Sequence, residues 1–191
     1  VFTILFEQFT EQTSISFLGV EFGSVVWGDY DNEGDLDILL TGSGISKIYR
    51  NNGNNSFTEQ TSISLLTITD GSVAWGDYDN DGDLDIILTG SGISKIYRNN
   101  GNNSFTEMTS ISLIGLFSSE AAWGDYDNDG DLDLLLSGNM GSSNKVSKIY
   151  RNDGNNTFVE QTSISLTGVF YGSVAWGDYD KDGDLDILLT G

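Results

Sequence analysis

The stretch Trp-Gly-Asp-Tyr-Asp-Asn-Asp-Gly-Asp-Leu-Asp at 75–85 recurs almost letter for letter at Trp27, Trp123 and Trp176. Tryptophan spacings of 48, 48 and 53 residues define an array of four units. In such arrays a unit cannot bury its apolar face alone and must stack on its neighbours. The 191 residues are therefore read as one array, residues 1–191, with units centred on the loops 29–37, 77–85, 125–133 and 178–186.

Within a unit, SVAWGDYD, LDIILTG, SKIYR and SFTEQTSIS alternate with Gly/Asn/Asp/Ser turns. Four short β-prone segments and no sustained helical period predict an up-and-down, four-stranded antiparallel sheet. The consecutive apolar residues Ile86, Ile87 and Leu88 predict a second strand covered on both faces. SFTEQTSIS, far more polar, suits an outer edge strand. Small residues before each tryptophan, such as Ser72, Val73 and Ala74, suit an innermost strand crowded around an axis; Glu120 in the third unit either places a carboxylate there or marks a local departure. Repeated four-stranded units of about 48 residues fit an all-β fold, a β-propeller with these sheets as blades. Residues 1–16 contain Phe9-Thr10-Glu11-Gln12-Thr13-Ser14, which matches the fourth strand of a unit, and are expected to form a closing or exchanged outer strand. Val1 to Phe6 lack the SKIYR pattern of a third strand. Self-closure, a larger ring and strand exchange between chains all stay open.

Twenty of the chain's 29 acidic residues lie in the four loops. A formal net charge of −21 with eight Lys and Arg leaves nothing to neutralise a run of phosphates, which argues against nucleic acid. No apolar run approaches the ~20 residues of a membrane span. Without cysteine there is no disulfide, and without histidine the commonest transition-metal ligand and general base are missing. In the loop Asp77 to Asp85, side-chain oxygens at positions 1, 3 and 5 converge when the chain coils tightly. Glycine at position 6 permits the turn, position 7 can offer its carbonyl, and Asp85 at position 9 completes the cage. A flexible, charged, all-oxygen set favours Ca²⁺, about one per repeat and four in all. The EF-hand is excluded, because its position-12 glutamate is replaced by Leu40, Leu88, Leu136 and Leu189.

WGDYDNDGDLDIILTG resembles the FG-GAP or VCBS repeat of integrin-α-type β-propellers, and the resemblance covers all four units. In that family a D-x-D-x-D-G-x-x-D loop joins the first two strands of a blade and binds Ca²⁺. The resemblance implies side-chain ligands at Asp29, Asp31, Glu33 and Asp37; Asp77, Asp79, Asp81 and Asp85; Asp125, Asp127, Asp129 and Asp133; and Asp178, Asp180, Asp182 and Asp186. Asp35, Asp83, Asp131 and Asp184 would add carbonyls. Glu33 departs from the pattern, and its longer side chain is expected to weaken the first site.

The chain's variable connections, between second and third strands and between blades, fall on the face opposite the metal loops. Phe117, Met140 and Tyr171 in these connections are candidates for ligand contact, although for Phe22, Phe117 and Phe170 sealing adjacent blades is the favoured use. Asn54, Asn102 and Asn155 begin N-x-Ser/Thr sequons and are glycosylation candidates. Carboxylates repeated in every unit, with no nucleophile or phosphate loop, argue against an enzyme. The expected function is a calcium-stabilised, extracellular or cell-surface module for adhesion or for binding a protein or carbohydrate. Weak sites of about 10⁻⁴ to 10⁻³ M suffice where ambient calcium is high. The alternative is a self-associating subunit of a surface fibre or larger assembly, joined by strand exchange.

Overall fold

A computed structural model describes residues 11–191. The described residues form 14 strands and no helix, so none long and apolar enough to cross a membrane. The first blade comprises β1 (Ser24–Gly28), β2 (Asp37–Gly42), β3 (Ile45–Asn51) and β4 (Phe57–Glu59). The second comprises β5 (Ser72–Gly76), β6 (Asp85–Gly90), β7 (Ile93–Asn99) and β8 (Phe105–Glu107). The third comprises β9 (Phe117–Gly124), β10 (Asp133–Asn139), β11 (Lys145–Asn152) and β12 (Phe158–Glu160). These are antiparallel sheets in sequence order, as the turn spacing predicts. The fourth blade is small, two strands only, β13 (Val174–Gly177) and β14 (Asp186–Leu189). Inner strands follow one another, β1 beside β5, β5 beside β9 and β9 beside β13, but the sheets do not close into a ring.

The closing-strand expectation for residues 1–16 falls largely on residues 1–10, outside the described part. Residues 11–16 repeat the turn that follows β4, β8 and β12. Thr13 N donates to Glu11 O at 3.2 Å, as Thr61 N does to Glu59 O at 3.1 Å.

The core lies between blades. Every residue of β2, β6 and β10 is buried except Asn139 at the end of β10. Side chains alternate along β6: Ile86 and Leu88 pack with Leu39 and Ile48 of the first blade, while Ile87 packs with Leu134 and Leu136 of the third. Full burial of such a side chain stabilises by about 1.5–3 kcal/mol, so the apolar run at 86–88 ties three blades together.

The tryptophans form the same junction three times. Trp75 lies flat against Gly28 of the preceding blade, where an added Cβ would come 2.6 Å from the indole; Trp123 on Gly76 (2.7 Å) and Trp176 on Gly124 (2.6 Å) do likewise. Each indole also stacks on a tyrosine of that preceding blade: Tyr30–Trp75 at 6.1 Å, Tyr78–Trp123 at 6.3 Å and Tyr126–Trp176 at 6.2 Å between centroids. Glycine removes the Cβ, and the near-parallel rings fill the space it leaves.

Candidate metal centre

The repeated loops connect the first two strands of each blade, and their last acid is the first residue of the second strand. The same conformational features fold each loop the same way. Position 4 is left-handed, with φ 58° at Asn32, 58° at Asn80, 59° at Asn128 and 63° at Lys181. Asparagine tolerates this conformation, whereas lysine at 181 carries a local cost of about 1 kcal/mol. The position-6 glycines Gly34, Gly82, Gly130 and Gly183 take φ between 93° and 96°, which explains their recurrence. The position-1 carboxylate then clamps the turn: Asp77 Oδ1 accepts from Asp81 N and Oδ2 from Gly82 N, both at 3.0 Å. The same pair of bonds forms at Asp29, Asp125 and Asp178.

This coiling brings three acids of each loop together. Asp29, Asp31 and Asp37; Asp77, Asp79 and Asp85; Asp125, Asp127 and Asp133; and Asp178, Asp180 and Asp186 each offer carboxylate oxygens within 4.8 Å of one another. Position 5 is used differently. Asp81, Asp129 and Asp182 accept from the N–H of position 7 at 2.9–3.0 Å, and Glu33 lies 3.9 Å from Arg50.

Position 9 is the most constrained. Asp37, Asp85 and Asp133 are wholly buried. Asp85 accepts from Tyr78 N at 3.1 Å and from Asn99 N at 2.7 Å, and Asp37 and Asp133 have matching donors. Burial still outweighs these bonds. It pushes the Asp85 carboxyl up to about 7, with Asp79 and Asp81 adding repulsion, and pushes Asp37 and Asp133 up to about 6. Burial likewise raises Asp79.

These residues fit a hard cation. Asp31 Oδ1 is buried without a hydrogen-bond donor, inside a group of convergent carboxylates. Such an atom is costly unless a cation meets it. The donors are all oxygen, and a divalent ion would relieve both the repulsion and the burial of charge.

A model of the FG-GAP-like repeat matches residues 29–88, 77–136 and 125–189, so the matches run from the first loop into the last strand. The chain belongs to the FG-GAP-like repeat family. No curated protein matches it significantly. Among solved structures, the chain is similar to an Agrocybe aegerita lectin that specifically recognises non-reducing terminal N-acetylglucosamine. That likeness has a TM-score of 0.64 at 21% identity and covers 87% of this chain and 46% of the lectin chain. The chain thus spans about half the length of that structure, and at this identity the likeness shows the fold.

In this FG-GAP-like array the loops also join blades, which sequence reasoning missed. The position-4 amide of one blade reaches the position-7 acid of the next: Asn32 Nδ2 donates to Asp83 Oδ1 at 2.7 Å, Asn80 to Asp131 at 2.7 Å and Asn128 to Asp184 at 3.1 Å. Asn99 Nδ2 donates to Tyr30 O of the preceding blade at 2.8 Å and to Leu84 O of its own metal loop at 3.2 Å; Asn152 does the same with Tyr78 O and Leu132 O. Both asparagines are 1% exposed, although the sequence reads them as the edge of an Asn-rich turn. Their recurrence at a fixed distance from Tyr-Arg was the available signal. Replacing Asn99 with alanine strands the buried Tyr30 carbonyl and the half-buried Leu84 carbonyl. It is expected to lower the unfolding free energy by about 1–3 kcal/mol, read from urea denaturation.

The ligand candidates are dispersed. Phe117 lies over Gly92 of the preceding blade, where an added Cβ would come 2.6 Å from the ring, so blade sealing is its main contact. Met140 is exposed on the turn between β10 and β11, and Asn144 Nδ2 approaches its sulfur at 3.5 Å. Tyr171, 71% exposed, borders a cavity of about 170 Å³ near the inner strands, with Phe22, Asp70, Ser118 and Glu120. Burial raises the Glu120 carboxyl, and Ser72 Oγ donates to it at 3.1 Å. Asn54, Asn102 and Asn155 are exposed on the β3–β4, β7–β8 and β11–β12 turns.

Proposed function

We propose that the chain is a calcium-loaded carbohydrate-binding module acting outside the cell, working by binding and not by catalysis. The observation that carries the calcium part is the convergence of three carboxylates in each of four loops, with an unpartnered buried oxygen in the first. In this reading the position-1, -3 and -9 acids hold one ion per blade, with the position-7 carbonyls as further oxygens. The ion neutralises buried charge and fixes the hairpin that starts each blade. It also holds the inter-blade asparagines in register, since they bond the same loops. The carbohydrate part rests on the fold shared with a lectin. An extracellular setting supplies the calcium that weak sites need.

The ligand face of this reading includes Tyr171 and Met140, exposed on connections away from the metal loops. Aromatic and soft apolar side chains there suit the apolar face of a sugar ring, with Asp70 and Glu120 as hydroxyl acceptors. A glycan array probed in calcium is expected to show binding that chelation abolishes. Tyr171→Ala is expected to weaken that binding roughly tenfold or more without moving the melt. Binding unchanged in the variant places the ligand elsewhere, and an array silent in calcium defeats the carbohydrate reading. Isothermal titration of chelator-stripped protein, expected to give four calcium ions per chain, tests the metal part separately.

A further inference from the structure

The buried carboxylates of consecutive metal loops are joined by an unbroken path of hydrogen bonds. Tyr30 N donates to Asp37 Oδ2 at 3.2 Å, and the carbonyl of the same tyrosine accepts from Asn99 Nδ2 at 2.8 Å. Asn99 N in turn donates to Asp85 Oδ1 at 2.7 Å. From Asp85 the path repeats. Tyr78 N donates to its Oδ2 at 3.1 Å, Tyr78 O accepts from Asn152 Nδ2 at 2.8 Å, and Asn152 N donates to Asp133 Oδ1 at 2.8 Å. The three aspartates, two tyrosines and two asparagines of this path are all 0–1% exposed. A bond that opens there leaves a buried polar group unpaired, which costs more than at the surface.

We propose that Asn99 and Asn152 are positioning residues that couple the first three metal sites, so that filling one loop raises the affinity of the next. The inference rests on the metal reading of these loops. In an unfilled loop three carboxylates within 4.8 Å of one another repel, which favours a more open conformation. A divalent cation supplies the charge that holds them together. A closed first loop fixes Tyr30, which lies between Asp29 and Asp31 in the chain and holds Asp37. Tyr30 O then fixes the Asn99 amide, and Asn99 N holds Asp85 where its own loop needs it. The second loop closes with part of its ordering already done, and a pre-ordered site binds more tightly. Coupling of this kind is reciprocal, so the second loop assists the first by the same factor. On this path the crossing between blades is made by the asparagine side chains alone. The bonds to Asp85 and Asp133 come from main-chain N–H groups that alanine keeps, so alanine at 99 or 152 cuts the path and leaves the local clamp in place.

The test is a calcium titration of the chelator-stripped full chain by isothermal calorimetry. Wild type is expected to bind with a Hill coefficient above that of independent sites, reflecting a rise in affinity of about fivefold or more between linked loops. Asn99→Ala and Asn152→Ala should each lower the coefficient, and the two together should bring it to about 1 with the number of ions bound unchanged. Ile87→Val trims a buried side chain and destabilises the chain without touching the path, so it should keep the cooperativity. Asp77→Asn, which disables the second loop and leaves both asparagines in place, should weaken the ions held by its neighbours about fivefold. Circular dichroism verifies that each variant is folded in calcium. Independent sites in wild type overturn the proposal, and so do a double alanine variant as cooperative as wild type or neighbours indifferent to Asp77→Asn. Equal losses in Ile87→Val and Asn99→Ala overturn it too, because the coupling then runs through folding of the whole chain. Calcium bound at independent sites leaves the metal reading standing, whereas no calcium bound at all defeats both.

Discussion

Stripping calcium with a chelator is expected to lower the midpoint of thermal unfolding by about 10–20 °C at neutral pH. If each of four sites is held at about ten times its dissociation constant, each contributes about 1.4 kcal/mol, together about 5 to 6 kcal/mol. At this chain length one kcal/mol moves the midpoint by about 2–4 °C. The pH dependence should reverse sign between the two states. Without metal, the folded Asp37, Asp85 and Asp133 titrate near 6, 7 and 6, well above the ordinary value of 3.8. The folded state then binds more protons than the unfolded state between about pH 4 and 7, so the metal-free protein loses stability as pH rises through that window. A carboxyl whose folded titration lies one pH unit above its unfolded one contributes about 1.4 kcal/mol to that loss. With calcium the ligands must be deprotonated, and stability should rise across the same window. Scanning calorimetry at acidic, intermediate and neutral pH, with calcium and with a chelator, measures both slopes. Parallel slopes would refute the assignment of these acids to a metal.

Gly76→Val should be among the most damaging single substitutions, costing about 3 kcal/mol. The new Cβ would sit 2.7 Å from the Trp123 indole, which is backed by Phe158, and relief requires the second and third blades to part. Gly177→Val, the same substitution at the equivalent position of the fourth blade, meets nothing within 4 Å. Its cost to the folding of a single chain should stay within about 0.5 kcal/mol, as for surface substitutions. Urea denaturation in calcium compares the two. Equal effects would mean that glycine is retained here for a property of the strand itself and not for the neighbouring indole.

Much of the candidate site was legible in the sequence because it is local. An acid at loop positions 1, 3 and 9, with glycine at 6, converges through the backbone conformation of nine consecutive residues. The assignment of Asp77, Asp79 and Asp85 to one centre therefore needed no knowledge of the rest of the chain. Strand order was legible for the same reason, since consecutive strands joined by short turns pair in sequence order. What neighbouring blades do to one another was not legible. The sequence offers Asp83 and Asn99 as loop residues, and only the stacking of units brings Asn32 to the first and Tyr30 O to the second.

Period and pattern thus determined the repeat unit, its four-stranded sheet and the acids that gather in its first turn, because those depend on contacts between segments close in the chain. Tertiary structure decided two other matters: the tryptophans are wedges between blades, and asparagine amides tie each acidic loop to the loop of the next blade. Trp27 and Trp75 have nearly the same local sequence, yet one is mostly exposed and the other seated on Gly28. Identical local sequences acquire different surroundings only through their place in the stack, and no property of a single repeat encodes that place.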